Sequence, residues 1–574
     1  MPQNGSVNRR LLTALVVAGL LAAGCGAANN GTVQPAEQAA GHNDINPQPA
    51  DRIKPGGVMQ WPVDAVNGNW NPNSVDGSSQ TGQWELTNAL LPWLFTAKAD
   101  NSLVLNHDYL TSAALISTNP QVVEYKVNPK ARWSNGRAIS WEDFRAAWQA
   151  CNGTNTAYQC AGTAGLENIG SVTKGVDDQD VKVTFARPFG EWQSLFSPLT
   201  PKELNATADE FDRGWADKPK ITAAAFTFDK IDATAKTVSV VRDPAWWGRP
   251  AHLDRILFKV VDRAALPDAF ASGAIDFYRI GSSLDLYQRA RTTKGLTVHQ
   301  ATEASYNLLD FNGADGTPLH DQATRVAVEQ AIDNQAIAKA LLGPMLPNPQ
   351  PLGNHFFAQG TAQYQDNSGP VKFNPEASKK TLDDLGYRQN GTFRAKDGKE
   401  FDLTLVVPTD IALSSAIATL VQSQLKAVGV NVKINAVPPD ELFSKYVNRG
   451  AVDVIGYSTT TPAQPLAAVK SQFYYTPGAA GLNYSAIGSA TVNKLLDDAS
   501  AELDEGRRTA LIQQADAEIW RQGHVLPTYQ IPGTYGVRDT WPTSAHPASR
   551  SSRWTTRPSA SRASRTSGRR SWSA

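Results

Sequence analysis

Cysteine is nearly absent: the 574 residues hold three, Cys25, Cys151 and Cys160. No further Cys or His cluster stands near any of them, so the spacing of a zinc or iron–sulfur site is missing and no metal is expected. The eight histidines are scattered without an H-E-x-x-H pair. A G-x-S-x-G elbow, a G-x-G-x-x-G turn and a P-loop are missing as well. Ser171-Val-Thr-Lys174 fits S-x-x-K, but it reads as a Gly-flanked loop without the motifs that accompany it in β-lactamase-type enzymes. With no nucleophile beside a base, a secreted enzyme is the weaker reading, and no cofactor is expected. Basic surplus is lacking too. Setting aside Arg9, Arg10 and the seven arginines beyond residue 540 leaves 45 basic residues against 54 acidic ones, which argues against a nucleic-acid partner. The one long apolar run, residues 11–23, falls short of the roughly 20 residues that cross a bilayer.

That run does have the order of an export signal: Arg9 and Arg10, the apolar stretch, then small residues. Ala22-Ala23-Gly24-Cys25 resembles a bacterial lipobox, with the usual leucine one place early at Leu21. Residues 1–25 are therefore expected to be a lipoprotein signal, with Cys25 lipidated and the protein held on the outer face of the cytoplasmic membrane. Ordinary cleavage that leaves Cys25 a bystander is the alternative. Cys151 and Cys160 remain, separated by eight residues that include Gly153. In an oxidising compartment a disulfide is expected there, contributing about 2–3 kcal/mol for so short a loop; two free thiols are the alternative. Residues 26–55 are rich in Asn, Gln, Pro and Gly and poor in large apolar side chains, and read as a flexible tether. Residues 541–574 carry seven arginines and no acid. They read as a basic low-complexity tail, expected to reflect a shift of reading frame because a neighbouring frame of Thr-Trp-Pro-Thr-Ser-Ala can encode Leu-Ala-Asn-Phe-Gly. A genuine disordered tail is the alternative.

Between tether and tail the periodicity is that of an α/β globule. Val123, Tyr125 and Val127 alternate, as do Val181, Val183 and Phe185, which predicts half-buried strands. Asn135-Gly136 marks a turn. Ser140 opens a helix with Asp143 placed to reach back, and Trp141, Phe144 and Trp148 share a face that suits a core. Later, Leu403, Leu405 and Val407 alternate, and Ile417, Leu420, Val421, Leu425 and Val428 follow at helical spacing. Gly429 stops the helix, and Val430, Val432 and Ile434 alternate again. This is a βαβ unit with a parallel pair. A last amphipathic helix is expected over 507–522, with Leu511, Ala515 and Ile519 inward.

"VEYKVNPKARWSNGRAISWEDFRAAW", residues 123–148, resembles the most recognisable block of the oligopeptide- and dipeptide-binding family of ABC-importer solute-binding proteins, with Trp133, Gly136, Ser140 and Asp143 on its marked positions. "VVRDPAWWGRPAHLDRILFKVV", "AFASGAIDF", "LLDFNG", "LDDLGY", "LKAVGVNV" and "HVLPTYQ" continue the resemblance in order over residues 56–540, in the manner of actinobacterial lipoproteins. The resemblance implies a two-lobed, periplasmic-binding-protein-like fold of the large peptide-binding type, acting as a monomer that captures peptides and passes them to an ABC permease. It implies lobe I over 56–300 with an extra strand-rich subdomain at about 95–185, lobe II over 301–523, and a return to lobe I over 524–540. Candidate ligand contacts are Tyr306, Asn312, Tyr457, Ser458, Thr459, Asn483 and Tyr484. Asn312 could equally fix a turn, and packing is the stronger reading of Tyr484.

Two departures stand out. Ala224-Ala225 replaces the family's Gly-Pro. The acidic stretch that many peptide binders carry after the strand ending "VDVIGY" is acid-free here over residues 458–471, with Lys470 adding the opposite charge. A peptide's amino terminus is thus expected to lack a carboxylate partner there, so that blocking it is tolerated, unless Asp310 or Asp453 serves. Some actinobacterial relatives use the fold in cell-envelope glycolipid assembly or regulation, which is the alternative to transport.

Overall fold

The computed structural model describes residues 53–539, apart from 67, 79–82, 99, 410–411, 439–440 and 478–482. The signal with Cys25, most of the tether and the basic tail lie outside the described residues.

The chain is organised by two long antiparallel strands, Leu296–Phe311 and Val525–Arg538. At about 3.3 Å per residue the first spans roughly 50 Å, more than one compact core can cover, and it passes from one core to others. Leu296 and Val298 pack on Phe270, Tyr278 and Ile280. Leu309 and Phe311 belong to the core around the helix Ala412–Lys426, and Tyr306 and Leu308 to a third cluster. Pairing of the two crossing strands runs from Leu296 opposite Arg538 to Asp310 opposite Val525, and the register slips between Thr302 and Tyr306. That bulge, holding Glu303, lies between the cores.

Before the first crossing strand, Val58–Val63 runs parallel to Arg255–Val260, and Thr237–Arg242 and Phe226–Asp232 complete a four-stranded sheet. Residues 110–185 supply a separate four-stranded antiparallel sheet in the order Leu110–Thr118, Gln121–Val127, Asp180–Phe185, Ile169–Lys174. Val123, Tyr125, Val181 and Val183 are buried there as the alternation requires. The helix Trp141–Cys151 packs beside this sheet, and the motif residues preceding it converge on one carboxylate. Fully buried Asp143 accepts from Trp133 Nε1 at 3.1 Å, Ser140 N–H at 3.0 Å, Lys202 N–H at 2.9 Å and two guanidinium nitrogens of Arg137 at 3.0 and 2.7 Å. A buried charge so surrounded is stable, and removing it would strand its donors. Gly136, at φ +84°, makes the turn that brings Arg137 back. Cys151 and Cys160 are disulfide-bonded with Cα atoms 5.7 Å apart.

Between the crossing strands, Asp402–Pro408 and Asn431–Val437 pair in parallel around Ala412–Lys426, the βαβ unit read from periodicity. Val454–Thr460 inserts between this unit and the first crossing strand, giving a six-stranded sheet in which Phe277–Arg279 is the opposite edge. The last helix is Glu505–Arg521. Its inward face is Ile512, Ala515 and Ile519, whereas Leu511 is half-buried, because a three-then-four spacing holds one face of a 3.6-residue helix and the expected four-then-four spacing drifts off it.

Candidate functional site

Val454–Thr460 lies antiparallel to the first crossing strand, with Ser458 opposite Asn307 and Thr460 opposite Ser305. The end of this strand, the bulge and the loop at 483–487 bring most of the sequence candidates together. Ser458 is exposed, its hydroxyl accepting from Asn307 Nδ2 at 3.3 Å. Half-buried Thr459 lies 3.5 Å from Gln472 Nε2. Tyr457 and Tyr484 are half-buried beside one another at an apolar cluster with Ile455 and Val437. Asn483 donates to the Ile487 carbonyl at 2.7 Å and so shapes its own loop. Two candidates stand apart. Tyr306 is wholly buried and donates to the His355 carbonyl at 3.2 Å. Asn312 ties a turn, donating to the Val452 carbonyl at 2.8 Å and accepting from Ala314 N–H at 3.1 Å.

Beneath Tyr457 lies Asp310, 4% exposed. Burial pushes its carboxyl up to about 7, against hydrogen bonds from the Ser485 and Tyr457 hydroxyls, the latter at 3.2 Å. Half-buried Asp453 accepts from Thr404 N–H at 2.8 Å, and burial raises its pKa as well. Lys470 does not lend a free charge to the site as its position in sequence suggests: it donates to Asp497 at 2.6 Å and to Ser500 at 3.2 Å. From the helix Pro465–Phe473 this lysine turns to the next helix, Ala490–Ala501.

The facing wall comes from the chain before the first crossing strand. Glu191, 1% exposed, reaches across and accepts from Leu466 N–H at 3.0 Å and Ala467 N–H at 2.7 Å in the first turn of Pro465–Phe473. A carboxylate there meets unpaired N–H groups and the positive end of the helix dipole. Burial nevertheless pushes its pKa up to about 7, opposed by those two bonds and by Arg508. Gly190 N–H donates to the Ser500 carbonyl at 2.7 Å, and Asn101 Nδ2 to the Thr461 carbonyl at 3.2 Å, so the walls are held together at several points. Arg279 at the end of its strand binds Glu303 of the bulge through Nε at 3.1 Å and Nη2 at 2.5 Å. Arg263 follows the strand Arg255–Val260. These residues escaped sequence reading because sheet order joins them, not spacing. Asp310 did leave a trace, as a lone acid within the apolar run "YNLLDF".

Residues 105–480 match the family described as bacterial extracellular solute-binding proteins, family 5 middle. Oligopeptide-binding protein OppA of Mycobacterium tuberculosis is 36% identical over 538 residues, which is 92% of this chain and 90% of that protein. From the same organism, "Probable monoacyl phosphatidylinositol tetramannoside-binding protein LpqW" is 25% identical over 380 residues, 60% of this chain and 58% of that protein. Among solved structures, the periplasmic EDTA-binding protein EppA matches with a TM-score of 0.80 at 23% identity, covering 87% of this chain and 94% of that one. The oligopeptide-binding protein AppA of Bacillus subtilis, in complex with a nonapeptide, matches with a TM-score of 0.71 at 18% identity over 87% and 98%. The fold is that of two-lobed periplasmic peptide-binding proteins.

Proposed function

Because the chain belongs to family 5 of the bacterial extracellular solute-binding proteins, we propose that it is the substrate-binding component of an ABC importer and captures peptides for a membrane permease. The observation that carries this reading is the 36% identity to a mycobacterial oligopeptide-binding protein over nine-tenths of both chains. The geometry suits the task. Two walls joined by long strands can close over a ligand, and a strand end such as Tyr457-Ser458-Thr459 can meet a peptide's backbone without reading its side chains. Lobe I is assigned residues 56–300, with the strand-rich part at about 95–185, and 524–540; lobe II is assigned 301–523. The protein acts without catalysis, as a monomer, from the outer face of the membrane. Among its described residues no helix is long and apolar enough to cross one.

Attachment through a lipid on Cys25 predicts that Cys25→Ser frees the body from the membrane fraction or leaves an uncleaved precursor. A mutant that stays membrane-bound with its signal removed contradicts it. Binding is tested by native mass spectrometry of protein purified from its own host, which should show masses of retained peptides. The match to LpqW favours one second reading, a role in envelope glycolipid assembly, and a retained glycolipid would replace the first reading with it.

A further inference from the structure

The helix Pro465–Phe473 follows shortly on the strand that carries Tyr457, Ser458 and Thr459, and its own sequence does not cap it. Ser283, Asp321, Asp333, Asn374, Ser489 and Asp504 each accept from a backbone N–H in the first turn of the helix they precede. Gln464, in the same place before Pro465, makes no such bond. Pro465 has no N–H to satisfy, which leaves Leu466 and Ala467 as the donors in need of an acceptor. Glu191 meets both, with Oε1 toward Leu466 N–H and Oε2 toward Ala467 N–H, from 275 residues away and from the wall before the first crossing strand.

The contact is close and lies off the connecting strands. Phe189 and Trp192, on either side of Glu191, pack in the core of their own wall, and Ala467 packs against that same core, whereas Leu466 and Val469 belong to the core around Phe356. Gly190 N–H donates to the Ser500 carbonyl at 2.7 Å, and a methyl at Gly190 would stand 2.1 Å from the Glu502 carbonyl oxygen. A side chain there would hold the walls apart. None of these residues takes part in the pairing of the two crossing strands, so the walls can separate at Glu191 while the strands stay paired. In the separated form water serves the carboxylate and both N–H groups. In the joined form Glu191 is 1% exposed; burial works against its charge, and the two N–H bonds and Arg508, on the helix Glu505–Arg521, work for it.

We infer that Glu191 is a positioning residue of ligand capture: it caps the helix Pro465–Phe473 across the cleft only when the walls close, and so fixes the strand end Tyr457-Ser458-Thr459 against the ligand. This rests on the two lobes and the peptide reading proposed above. A ligand that bridges the walls favours the closed form, and the cap adds to that preference because without it closure would leave the Leu466 N–H buried and unpaired.

The test uses the full mature protein at about pH 8 with a mixed-sequence pentapeptide library as the probe. It reads affinity by calorimetry, association and release by stopped flow, and the Leu466 and Ala467 amides by hydrogen–deuterium exchange. In the wild type, saturation with the library should slow exchange of those two amides at least about tenfold. Glu191→Ala should lose most of that slowing and bind at least about fivefold more weakly, through faster release at unchanged association. Glu191→Gln keeps one acceptor and should fall between. Gly190→Ala should reproduce the faster release by holding the walls apart, and all three variants should keep the wild-type urea midpoint when ligand-free. Equal protection of the two amides with and without peptide makes the cap a permanent contact and overturns the inference. So does an affinity of Glu191→Ala within about twofold of the wild type, or a ligand-free midpoint that falls along with affinity, which assigns Glu191 to the fold at large. Each of these leaves the peptide reading standing. If the wild type binds no peptide, that reading fails and takes the inference with it.

Discussion

On the wall between the crossing strands, the ionic groups nearest the candidate contacts are already engaged. Asp310 is buried under the Tyr457 and Ser485 hydroxyls, Asp453 is bonded to Thr404 N–H, and Lys470 is matched by Asp497. On the wall before the first crossing strand, Arg279 is held by Glu303 through two nitrogens, and Glu191 accepts from the Leu466 and Ala467 N–H groups. The wall between the crossing strands thus presents tyrosines, hydroxyls and a strand end, while the other reaches across with a buried carboxylate. On the peptide reading proposed above, an ammonium group finds Asp310 and Asp453 already engaged, in keeping with the acid-free stretch 458–471.

The comparison presumes that the wall before the first crossing strand is a rigid frame, and Asp143 is where it breaks most readily. Asp143→Ala leaves Trp133, Arg137 and two backbone donors without their acceptor, so a loss of about 3–5 kcal/mol is expected, read from the urea midpoint of the purified body. A loss below about 1 kcal/mol would mean that the frame rests elsewhere.

A smaller effect comes from pH, because both walls bury carboxyls. Asp310 and Glu191 are pushed up to about 7 and Glu329 to about 8, desolvation leading in each case. Raised values mean that the folded protein keeps protons that the unfolded chain, titrating near 4, has already lost. Their contribution is fully present below pH 4 and is lost as pH rises through about 7 to 8. Buried His524, lowered well below 6.5, works the other way below that pH. Three groups against one give a net gain in unfolding free energy at pH 5.5 relative to pH 8.5. Asp310→Asn should flatten the slope. A protein more stable at pH 8.5 contradicts this reading of the buried acids.

Smallest is the effect of Lys470→Met. Its ion pair is partly exposed and worth at most about 0.5 kcal/mol, and peptide affinity should stay within twofold by calorimetry. A larger gain or loss in affinity would return Lys470 to the cleft and blur the difference between the walls.

Much of this frame could be read from the sequence. The βαβ unit was visible because Leu403, Leu405 and Val407, with Val430 and Val432, turn one face inward while Ile434 on the edge strand is exposed, and the helix keeps its stripe. The block from Trp133 to Asp143 was visible as a pattern, and its reason, five donors on one carboxylate, appears only when Lys202 arrives from elsewhere in the chain. The crossing strands were not read as single strands of 16 and 14 residues. "LTVHQATEASYNLLDF" changes its apolar partners midway, from the core around Phe270 to those around Phe356 and Ala418, so no single period runs through it. Tyr306 was legible as an aromatic near the crossover but not as a core residue, since burial of one strand face depends on which helices cover it. Glu191 caps a helix 275 residues away, and Arg263, Arg279 and Glu303 meet through sheet order. No local signal encodes either.

The central claim, a cleft that holds peptides without anchoring their ammonium group, is tested by calorimetry of the wild-type protein with one tight-binding peptide in free and N-acetylated forms. The account predicts a difference of less than about 1 kcal/mol, the worth of an ordinary neutral hydrogen bond. A loss of about 2 kcal/mol or more on acetylation, roughly 30-fold in affinity, would mean that an acid such as Asp310 or Asp453 turns to the ligand after all, and would contradict it.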